Sequence, residues 1–271
     1  MRLYDSHCHL DFPALASALD AVLARARAAG VAEVLVPGVD PEQWRRAEGL
    51  PRTGRVVLRF AAGLHPWALA RLDDEDVAAA LDGLPDALAA LGACALGEVG
   101  WDRPLARREA SSSMARQDRA AERQLALARD LGLPPILHVV GAHGRALERL
   151  GRFGRWPRGG VVHAYSGPPD LVAAYVDLGL SLSFGPAVTR PNARRPRAAA
   201  AACPPEHLLA ETDGPDQAVE DGPGEPREVR AVLAALAEAR GEPFAAVAAH
   251  TDRNATKLFG GSGAPRPPRL V

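Results

Sequence analysis

Several short apolar runs in this chain end at a side chain that can bind a metal ion. The residues at these ends are His7 and His9 in the first run and then Glu98, His138, His163 and Asp213. Short apolar runs bounded by Gly, Pro and polar residues are typical of buried parallel strands. Polar side chains at the C-terminal ends of several parallel strands are the usual arrangement of an active site in an α/β barrel. The pattern therefore favours a fold in which distant strand ends meet at one point.

Eight apolar runs alternate with helical patterns along the 271 residues. We predict strands over residues 2–6, 33–37, 57–63, 93–98, 134–138, 160–163, 180–184 and 207–212. Helical spacing of apolar side chains predicts helices over 13–29, 74–91, 115–131, 168–178, 226–240 and 243–258. This alternation predicts an α/β fold, a TIM-type (β/α)8 barrel with its metal site at the C-terminal ends of the strands. A doubly wound open sheet is the alternative, although its strand ends would not converge on one point.

Composition and charge limit the classes of protein that remain. A hydrophobic content of 47% fits a globular protein with a full core, and a net charge of −1 argues neither for nor against a nucleic-acid partner. We expect one domain over residues 1–259 and a disordered Gly-, Pro- and Arg-rich tail over 260–271. From the sequence we expect no membrane span, no signal peptide before the first strand and no obligate protein partner. The three cysteines lack metal-site spacing and suggest reduced thiols in a cytoplasmic protein.

The ligand types indicate which ions the site would bind. Alternate residues of a strand point to the same side, so His7 and His9 face one centre together. Each histidine taken singly could be a hydrogen-bonded core residue, and each carboxylate could pair with an arginine, but five segments agree on one site. Imidazole and carboxylate ligands suit Zn, Mg or Mn better than they suit thiolate-selecting metals. Six ligands are too many for one catalytic ion with an open position, so we predict two divalent ions that share a carboxylate.

Glu98 is the best candidate for that shared carboxylate. Some barrel metallohydrolases use a carboxylated lysine as the bridge between their two ions. Lys257 is the only lysine of this chain and lies in the last predicted helix, far from any strand end. The sequence therefore leaves Glu98 as the bridge.

At this point the motifs resemble those of the TatD family of metal-dependent hydrolases, within the amidohydrolase-like barrels. The resemblance extends over residues 2–259. Its motifs are Asp5-Ser6-His7-Cys8-His9-Leu10-Asp11-Phe12, Gly63-Leu64-His65-Pro66, Gly97-Glu98-Val99-Gly100-Trp101-Asp102, Leu133-Pro134-Pro135-Ile136-Leu137-His138, His163-Ala164-Tyr165-Ser166-Gly167, Glu211-Thr212-Asp213-Gly214-Pro215 and Asn254-Ala255-Thr256-Lys257-Leu258-Phe259. These motifs occur together and in the same order as in the family, and this makes the resemblance specific.

The resemblance implies a division of the ligands between two ions. One ion would be held by His7, His9 and Asp213. Glu98 would bridge to a second ion. The ligands of that second ion would be completed by His138 and His163.

The resemblance also implies catalytic roles and an activity. Asp213 and Glu98 would be catalytic as well as metal-binding, and Asp213 would orient or deprotonate the attacking water. His65 would hydrogen-bond a phosphate oxygen or the leaving group; its alternative role is to order the loop. Members of the family act as deoxyribonucleases, several of them 3′-to-5′ exonucleases. The expected substrate is therefore DNA at its ends, and the expected reaction is phosphodiester hydrolysis.

Other residues are candidates for substrate contact. Arg190 and Arg194 lie in a basic segment, residues 185–197, that could hold a nucleic-acid backbone, although such a segment could equally be a solvated loop. Trp67 or Trp101 could stack a base at the mouth, or could serve packing only. We expect the remaining three histidines at the surface; they are His143, His207 and His250.

The chain departs from the family pattern at positions that are not metal ligands, and we expect these departures to alter the substrate preference. Family members usually have a small residue and then Arg after the histidine of the fifth strand, whereas Val139-Val140-Gly141 follows His138 here. Asp216 stands where a Tyr is common. These changes leave open hydrolysis of another bond, such as a cyclic amide, an ester or an aminoacyl linkage. A barrel that only binds metal or a partner is the third hypothesis, and the complete ligand set argues against it.

Overall fold

Eight parallel strands surround the core in the order of the chain. The computed structural model describes residues 1–52 and 54–260. The strands are β1 (Leu3–Asp5), β2 (Val31–Val36), β3 (Val57–Ala62), β4 (Ala95–Asp102), β5 (Pro135–Val140), β6 (Val161–Val162), β7 (Ser181–Phe184) and β8 (Leu208–Ala210). Each pairs in parallel with the next. A doubly wound sheet would need a different strand order, so the TIM-type barrel prediction is confirmed.

The barrel closes between β8 and the residues that follow β1. The amide of Ser6 donates to the carbonyl oxygen of Ala210 at 3.1 Å, and Cys8 and Gly214 form an isolated parallel bridge. The amide of Asp213 donates to the carbonyl oxygen of His7 at 2.8 Å. Closure thus brings the His-x-His segment and Asp213 together, although they lie at opposite ends of the sequence.

Helices occupy the intervals between the strands, and the last two helices follow β8. They are α1 (Pro13–Ala16), α2 (Leu19–Ala28), α3 (Pro41–Glu48), α4 (Pro66–Arg71), α5 (Asp74–Leu91), α6 (Arg103–Arg108), α7 (Met114–Asp130), α8 (His143–Phe153), α9 (Val172–Asp177), α10 (Arg194–Ala202), α11 (Val229–Arg240) and α12 (Phe244–Phe259). The segment 13–29 forms two helices, α1 and α2. A single helix was predicted because the helical spacing of apolar residues continues across the break between them. The one predicted over 168–178 begins with a 3₁₀ turn before α9.

The basic segment over 185–197 is more ordered than the loop we expected. A 3₁₀ turn covers Pro186–Thr189, and α10 begins at Arg194. Pro196 is tolerated in the first turn of α10 because backbone N–H groups there have no intrahelical partner. An alanine run then continues the helix, as the high helix propensity of alanine favours.

A small cluster of apolar side chains fills the barrel interior. Most strands contribute one residue to it, and α12 contributes from below; the members include Tyr4, Leu35, Ala61, Ala95, Ile136, Val161, Leu209 and Phe259. A Cβ atom placed on Gly159, which precedes β6, would meet Leu258 at 3.0 Å, so α12 covers the N-terminal ends of the strands. The C-terminal ends remain for the polar side chains.

None of the helices within the described ranges is long and apolar enough to cross a bilayer. The tail prediction falls on residues 261–271, which lie outside the described residues, apart from Gly260. The three cysteines are free thiols.

Candidate metal centre

Glu98 lies inside β4 and not at its end, which corrects the prediction of a strand over 93–98. The β4–β5 register shifts between Leu96 and Val99, and the glycines on either side of Glu98 have φ of +153° at Gly97 and +152° at Gly100. A Cβ atom on Gly100 would lie 2.1 Å from the carbonyl oxygen of His138, so only glycine allows β5 to approach this closely. At the bulge the Glu98 amide does not pair with β5. It donates a hydrogen bond of 2.6 Å to the carbonyl oxygen of Gly38.

The two carboxylate oxygens of Glu98 face two different sets of side chains. Oε1 lies 3.3 Å from His7 Nε2 and 3.2 Å from His9 Nε2. Oε2 lies 2.7 Å from His163 Nε2 and 3.7 Å from His138 Nδ1. One carboxylate therefore stands between two pairs of imidazoles, as a bridging ligand would.

Asp213 lies on the Oε1 side of Glu98. Its Oδ1 is 3.6 Å from His7 Nε2 and 3.9 Å from His9 Nε2, while its Oδ2 accepts a hydrogen bond of 2.7 Å from Gln217 Nε2. Its φ of +52° is uncommon for a residue other than glycine. Such backbone strain is often kept at functional sites, where it fixes a side chain in place.

His65 completes the ring of histidines around Glu98. Its Nδ1 accepts a hydrogen bond of 3.0 Å from the backbone amide of Trp67, so the proton of the neutral ring is on Nε2, which points to Glu98 Oε2 at 3.8 Å. Burial and the charge of His138 hold the pKa of His65 well below its usual value. His65 is therefore a neutral donor directed at the centre.

The charges at the centre support one another. Burial raises the pKa of a carboxyl group, but the charges of His163 and His7 outweigh it and hold the pKa of Glu98 well below its usual value. Burial has the opposite effect on an imidazole, yet the carboxylates of Glu98 and Glu211 hold the pKa of His163 well above its usual value. The site favours an ionised Glu98 within a positive surrounding, an arrangement in which a divalent cation can replace the imidazole protons.

The centre contains a buried polar atom that has no hydrogen-bond partner in the part of the chain that the structure describes, as expected for a side chain that binds a metal ion. His7 Nε2 is buried and forms no hydrogen bond with the described residues, although it faces the carboxylate of Glu98. Its environment is consistent with a ligand whose partner is a cation. Three groups hold their ligand atoms within 4.8 Å of one another: His7–His9–Glu98, His65–Glu98–His138 and His7–His163–Glu211. The donors are imidazoles and carboxylates, so the residues fit divalent ions.

Two carboxylates behind the histidines were not assigned a role from the sequence. Asp102 Oδ2 lies within hydrogen-bond distance of His138 Nε2, at 3.5 Å. Glu211 Oε1 lies 3.6 Å from His163 Nδ1, too far for a hydrogen bond, and accepts a hydrogen bond of 2.6 Å from the amide of Ala164. Metal-binding histidines commonly give their second nitrogen to such a carboxylate. Glu211 is fully buried at the end of an apolar run. Burying a carboxylate without a partner costs free energy, and this could have identified Glu211 from the sequence.

Asp5 fixes the closing edge of the barrel in a similar way. Its Oδ1 and Oδ2 accept hydrogen bonds of 2.9 and 2.6 Å from the amide and hydroxyl of Thr212, and burial raises its pKa well above the usual value. Thr212 precedes Asp213, so Asp5 ties the segment after β8, which carries Asp213, to the segment carrying His7.

Replacing Asp102 by Asn should weaken metal binding about 10- to 100-fold, because the amide carries no charge to orient and polarise His138. Asn can still cap α6, since Asp102 Oδ1 accepts from the Leu105 amide and Asn is an equally good cap. Asp73→Asn, at the cap of α5 and far from the centre, is the matched control. Calorimetric titration with Zn or Mn checks the difference; equal affinities in the two variants would contradict the positioning role.

Of the two roles expected for Trp101, stacking a base or packing, the structure shows packing. Trp101 is fully buried, and its Nε1 donates a hydrogen bond of 2.9 Å to Asp118 Oδ1. Because β4 continues past Glu98, the Trp101 side chain turns outward against α7. Trp67 is half-buried, with its ring 4.7 Å from that of His65, so it stays a stacking candidate.

His143 is also buried, contrary to our expectation of a surface residue. It begins α8, and its Nδ1 lies 2.9 Å from the hydroxyl of Tyr175. His207 and His250 are half-buried and belong to the other end of the barrel and to α12.

His143 should make stability depend on pH. Burial and the charge of Arg195 lower the pKa of His143 to about 4. The folded protein therefore binds this proton less readily than the unfolded chain does. The contribution of neutral His143 to the free energy of unfolding is complete above about pH 6.5 and is lost as pH falls toward 4. We expect His143→Gln to reduce the loss of unfolding free energy between these limits by about 2–3 kcal/mol. Denaturant titrations at several pH values check this; parallel profiles for the two proteins would contradict it.

The predicted substrate arginines lie on the same face as the metal centre but do not touch it. Arg190 and Arg194 follow β7 and are exposed, and neither forms a side-chain hydrogen bond or an ion pair with the described residues. Lys257 lines a cavity at the N-terminal end of the barrel, away from the centre. The structure therefore brings together the six predicted ligands and His65, and which of these bind an ion stays a prediction.

Comparison with known proteins agrees with this architecture. The family described as TatD related DNase matches residues 4–260. The uncharacterized metal-dependent hydrolase YjjV of Escherichia coli is 34% identical over 264 residues, which cover 95% of this chain and 98% of that protein. The crystal structure of YjjV, described as a TatD homolog, superposes with a TM-score of 0.83 and covers 96% of this chain and 98% of that one, at 33% identity.

A relative with a stated activity matches over a similar length. The 3′-5′ ssDNA/RNA exonuclease TatD of Pantoea ananatis is 30% identical over 268 residues, covering 95% of this chain and 99% of that protein. The family match extends over nearly the whole chain, and the eight-stranded barrel and the clustered histidines and carboxylates are what such a match requires. The chain belongs to the TatD family of metal-dependent hydrolases.

Proposed function

We propose that this hydrolase is a phosphodiesterase that shortens single-stranded DNA from its 3′ end, with two divalent ions, Zn, Mg or Mn, at its centre. One observation carries the proposal: the two oxygens of Glu98 face two separate sets of ligand side chains. The name of the Pantoea relative, a 3′-5′ ssDNA/RNA exonuclease, supports the choice of substrate. The expected location of the protein is the cytoplasm.

The residues would divide between the two ions along the halves of Glu98. His7, His9 and Asp213 would hold the first ion with Oε1, and His138 and His163 the second with Oε2. Bound divalent ions would supply the acidity that makes water nucleophilic near neutral pH and would stabilise negative charge on phosphate oxygens. Burial of the ligands, with Glu98 2% exposed, excludes competing solvent.

The side chains of the chain would move the proton and hold the phosphate. Asp213 would accept the proton of the attacking water as the new O–P bond forms. That proton would neutralise the leaving 3′ oxygen as the P–O3′ bond breaks. Gln217 keeps the Asp213 carboxylate in position through its hydrogen bond to Oδ2. His65 Nε2–H, which is held neutral, would donate a hydrogen bond to a phosphate oxygen.

Hydrolysis of a different bond is the second candidate, and one observation favours it. Val140 is half-buried where family members carry an arginine, so the β5 side of the mouth offers no guanidinium for a phosphate from that position. An acyl or cyclic-amide substrate would not need it.

Shortening of a 5′-labelled single-stranded DNA in the presence of Mg or Mn tests the proposal. We expect a ladder of products from the 3′ end that disappears with a chelator. Ester and cyclic-amide substrates are assayed in parallel with the same protein. Intact DNA after incubation with folded, metal-loaded protein, together with turnover of an acyl substrate, would replace the first candidate by the second.

A further inference from the structure

Two segments at the C-terminal end of the barrel each carry several exposed arginines. One is α6 after β4, and the other follows β7 and leads into α10. The exposed arginines of the two segments are Arg103, Arg107, Arg108, Arg190, Arg194 and Arg195, and we call them the arginine track. Residues 103–112 contain one carboxylate, Glu109, and residues 185–197 contain none.

The arginine track has no structural partners among the described residues. No carboxylate oxygen of residues 1–52 or 54–260 lies within 4.0 Å of its guanidinium groups, and none of them donates a side-chain hydrogen bond there. Some arginines on the outer helices are paired instead: Arg145 and Arg149 both pair with Asp118, at 2.5 and 2.8 Å. The track arginines are therefore available for a ligand, because they form no ion pair or side-chain hydrogen bond within the described ranges that would stabilise the fold.

The α6 half of the track lies beside the position that lacks the family arginine. Asp102, which precedes Arg103, pairs with Val140 in the β4–β5 ladder. A Cβ atom on Gly141 would lie 3.7 Å from the Cβ atom of Arg103. The neighbouring strand thus brings a guanidinium side chain next to the place where β5 has only valine.

The other half lies toward the loop after β6. The helix α10, which begins at Arg194, packs against the 3₁₀ turn Pro169–Leu171 of that loop. The two halves of the track therefore flank the β5 and β6 loops, which carry the residues beyond His138 and His163.

The opposite side of the mouth is acidic. Residues 214–226 after β8 carry the exposed carboxylates of Asp216, Glu220 and Asp221. Glu220 is neutralised by Arg227 at 2.7 Å, but Asp216 and Asp221 have no ion pair with the described residues. A polyanion at the mouth is attracted to the β4–β7 side and repelled from the β8 side.

We propose that the arginine track binds the backbone phosphates of a single-stranded nucleic acid, which lies over the β5 and β6 loops with its reactive end at Glu98. The proposal rests on the proposed function for its reactive end, but the track can be tested through binding. A single strand is favoured because the ligands are deeply buried, with His163 5% exposed, and a flexible strand can reach them where a rigid duplex cannot. Arg103 in this arrangement takes over the contact that Val140 cannot make.

Two triple variants test the track: Arg103→Ala/Arg107→Ala/Arg108→Ala and Arg190→Ala/Arg194→Ala/Arg195→Ala. The matched control is Arg27→Ala/Arg45→Ala/Arg158→Ala, which removes the same charge from exposed positions on α2, on α3 and before β6. Fluorescence anisotropy with a labelled oligodeoxythymidylate gives the Kd at several salt concentrations. Removing one arginine–phosphate interaction lowers the salt slope by about 0.7, so each track variant should show a slope smaller by about 2 and an affinity about tenfold or more weaker.

Calorimetric titration with Mn is the second measurement, because the track includes none of the candidate metal ligands. We expect all three variants to bind Mn as the wild type does, which would show that the metal centre is intact. Wild-type affinity and salt slope in both track variants would overturn the proposal, as would equal losses of affinity in the control. Failure of the wild type to cut DNA would count against the proposed function only, since binding and its salt slope would still report on the track.

Discussion

Glu98→Gln should abolish hydrolysis and reduce the bound metal from about two ions per chain to one or none. The amide keeps the size of the side chain but offers only one ligand oxygen, whereas Glu98 presents one oxygen to His7 and His9 and the other to His138 and His163. Metal ions contribute several kcal/mol of transition-state stabilisation, so kcat should fall by about 10³-fold or more. Metal analysis of the purified protein and single-turnover kinetics measure the two effects.

Two further variants make the Glu98 result interpretable. Glu98→Asp keeps the charge but shortens the reach, and we expect it to retain one ion and part of the activity. Glu148→Gln, on the outer face of α8 where it pairs with Arg152 at 2.9 Å, is the matched control and should behave as wild type. Two ions per folded chain in Glu98→Gln would show that Glu98 is not the bridge.

The strands that carry the ligands could be predicted because their signal is local. Each apolar run is short, is bounded by turn residues and ends near a His, Asp or Glu, and all eight predicted strands are present. Convergence of the ligands follows from the barrel, since parallel strands present their C-terminal ends on one face. His7 and Asp213 could therefore be placed together although they lie near opposite ends of the chain.

The bulge of β4 and its consequences could not be predicted in the same way. Sequence alternation does not show that β4 shifts register between Leu96 and Val99, because a bulge depends on how closely the neighbouring strand approaches. The bulge lets β4 continue to Asp102, and this turns Trp101 away from the mouth and brings Asp102 to His138. Asp102 thus lies in a motif that is recognisable in the sequence, but its role depends on a neighbouring strand.

Long-range partners explain the remaining differences. His143 resembles a surface residue because it opens an amphipathic helix, yet its partner Tyr175 lies 32 residues further along the chain. Glu211 follows β8 and faces His163, which follows β6, across the single strand β7. The two residues are too far apart in the sequence for any periodic pattern to pair them. A single sequence shows which residues are costly to bury, but only the packing shows what satisfies them.

Asp213→Asn should separate proton transfer from metal binding. Asn is among the residues that best tolerate the left-handed backbone found at φ +52°, and its amide can keep both the Oδ1 position and a hydrogen bond with a reoriented Gln217. The fold and most of the metal affinity should therefore survive, while the group that takes the proton is removed. We expect kcat to fall by about 10²- to 10⁴-fold, the usual contribution of a positioned general base.

Metal titration of the Asp213→Asn rate decides between two roles for this carboxylate. If Asp213 only binds an ion, raising the concentration of Mn should restore the rate, since His7, His9 and Glu98 remain to complete the site. If Asp213 also accepts the proton, the rate should stay low at metal saturation, and this is the result we expect. Asp216→Asn is the control: it removes an exposed carboxylate three residues away, on the same loop, and should change kcat little. Full recovery at high Mn would assign the catalytic base to another group, and a parallel loss of activity in Asp216→Asn would attribute the effect to the charge of the loop as a whole.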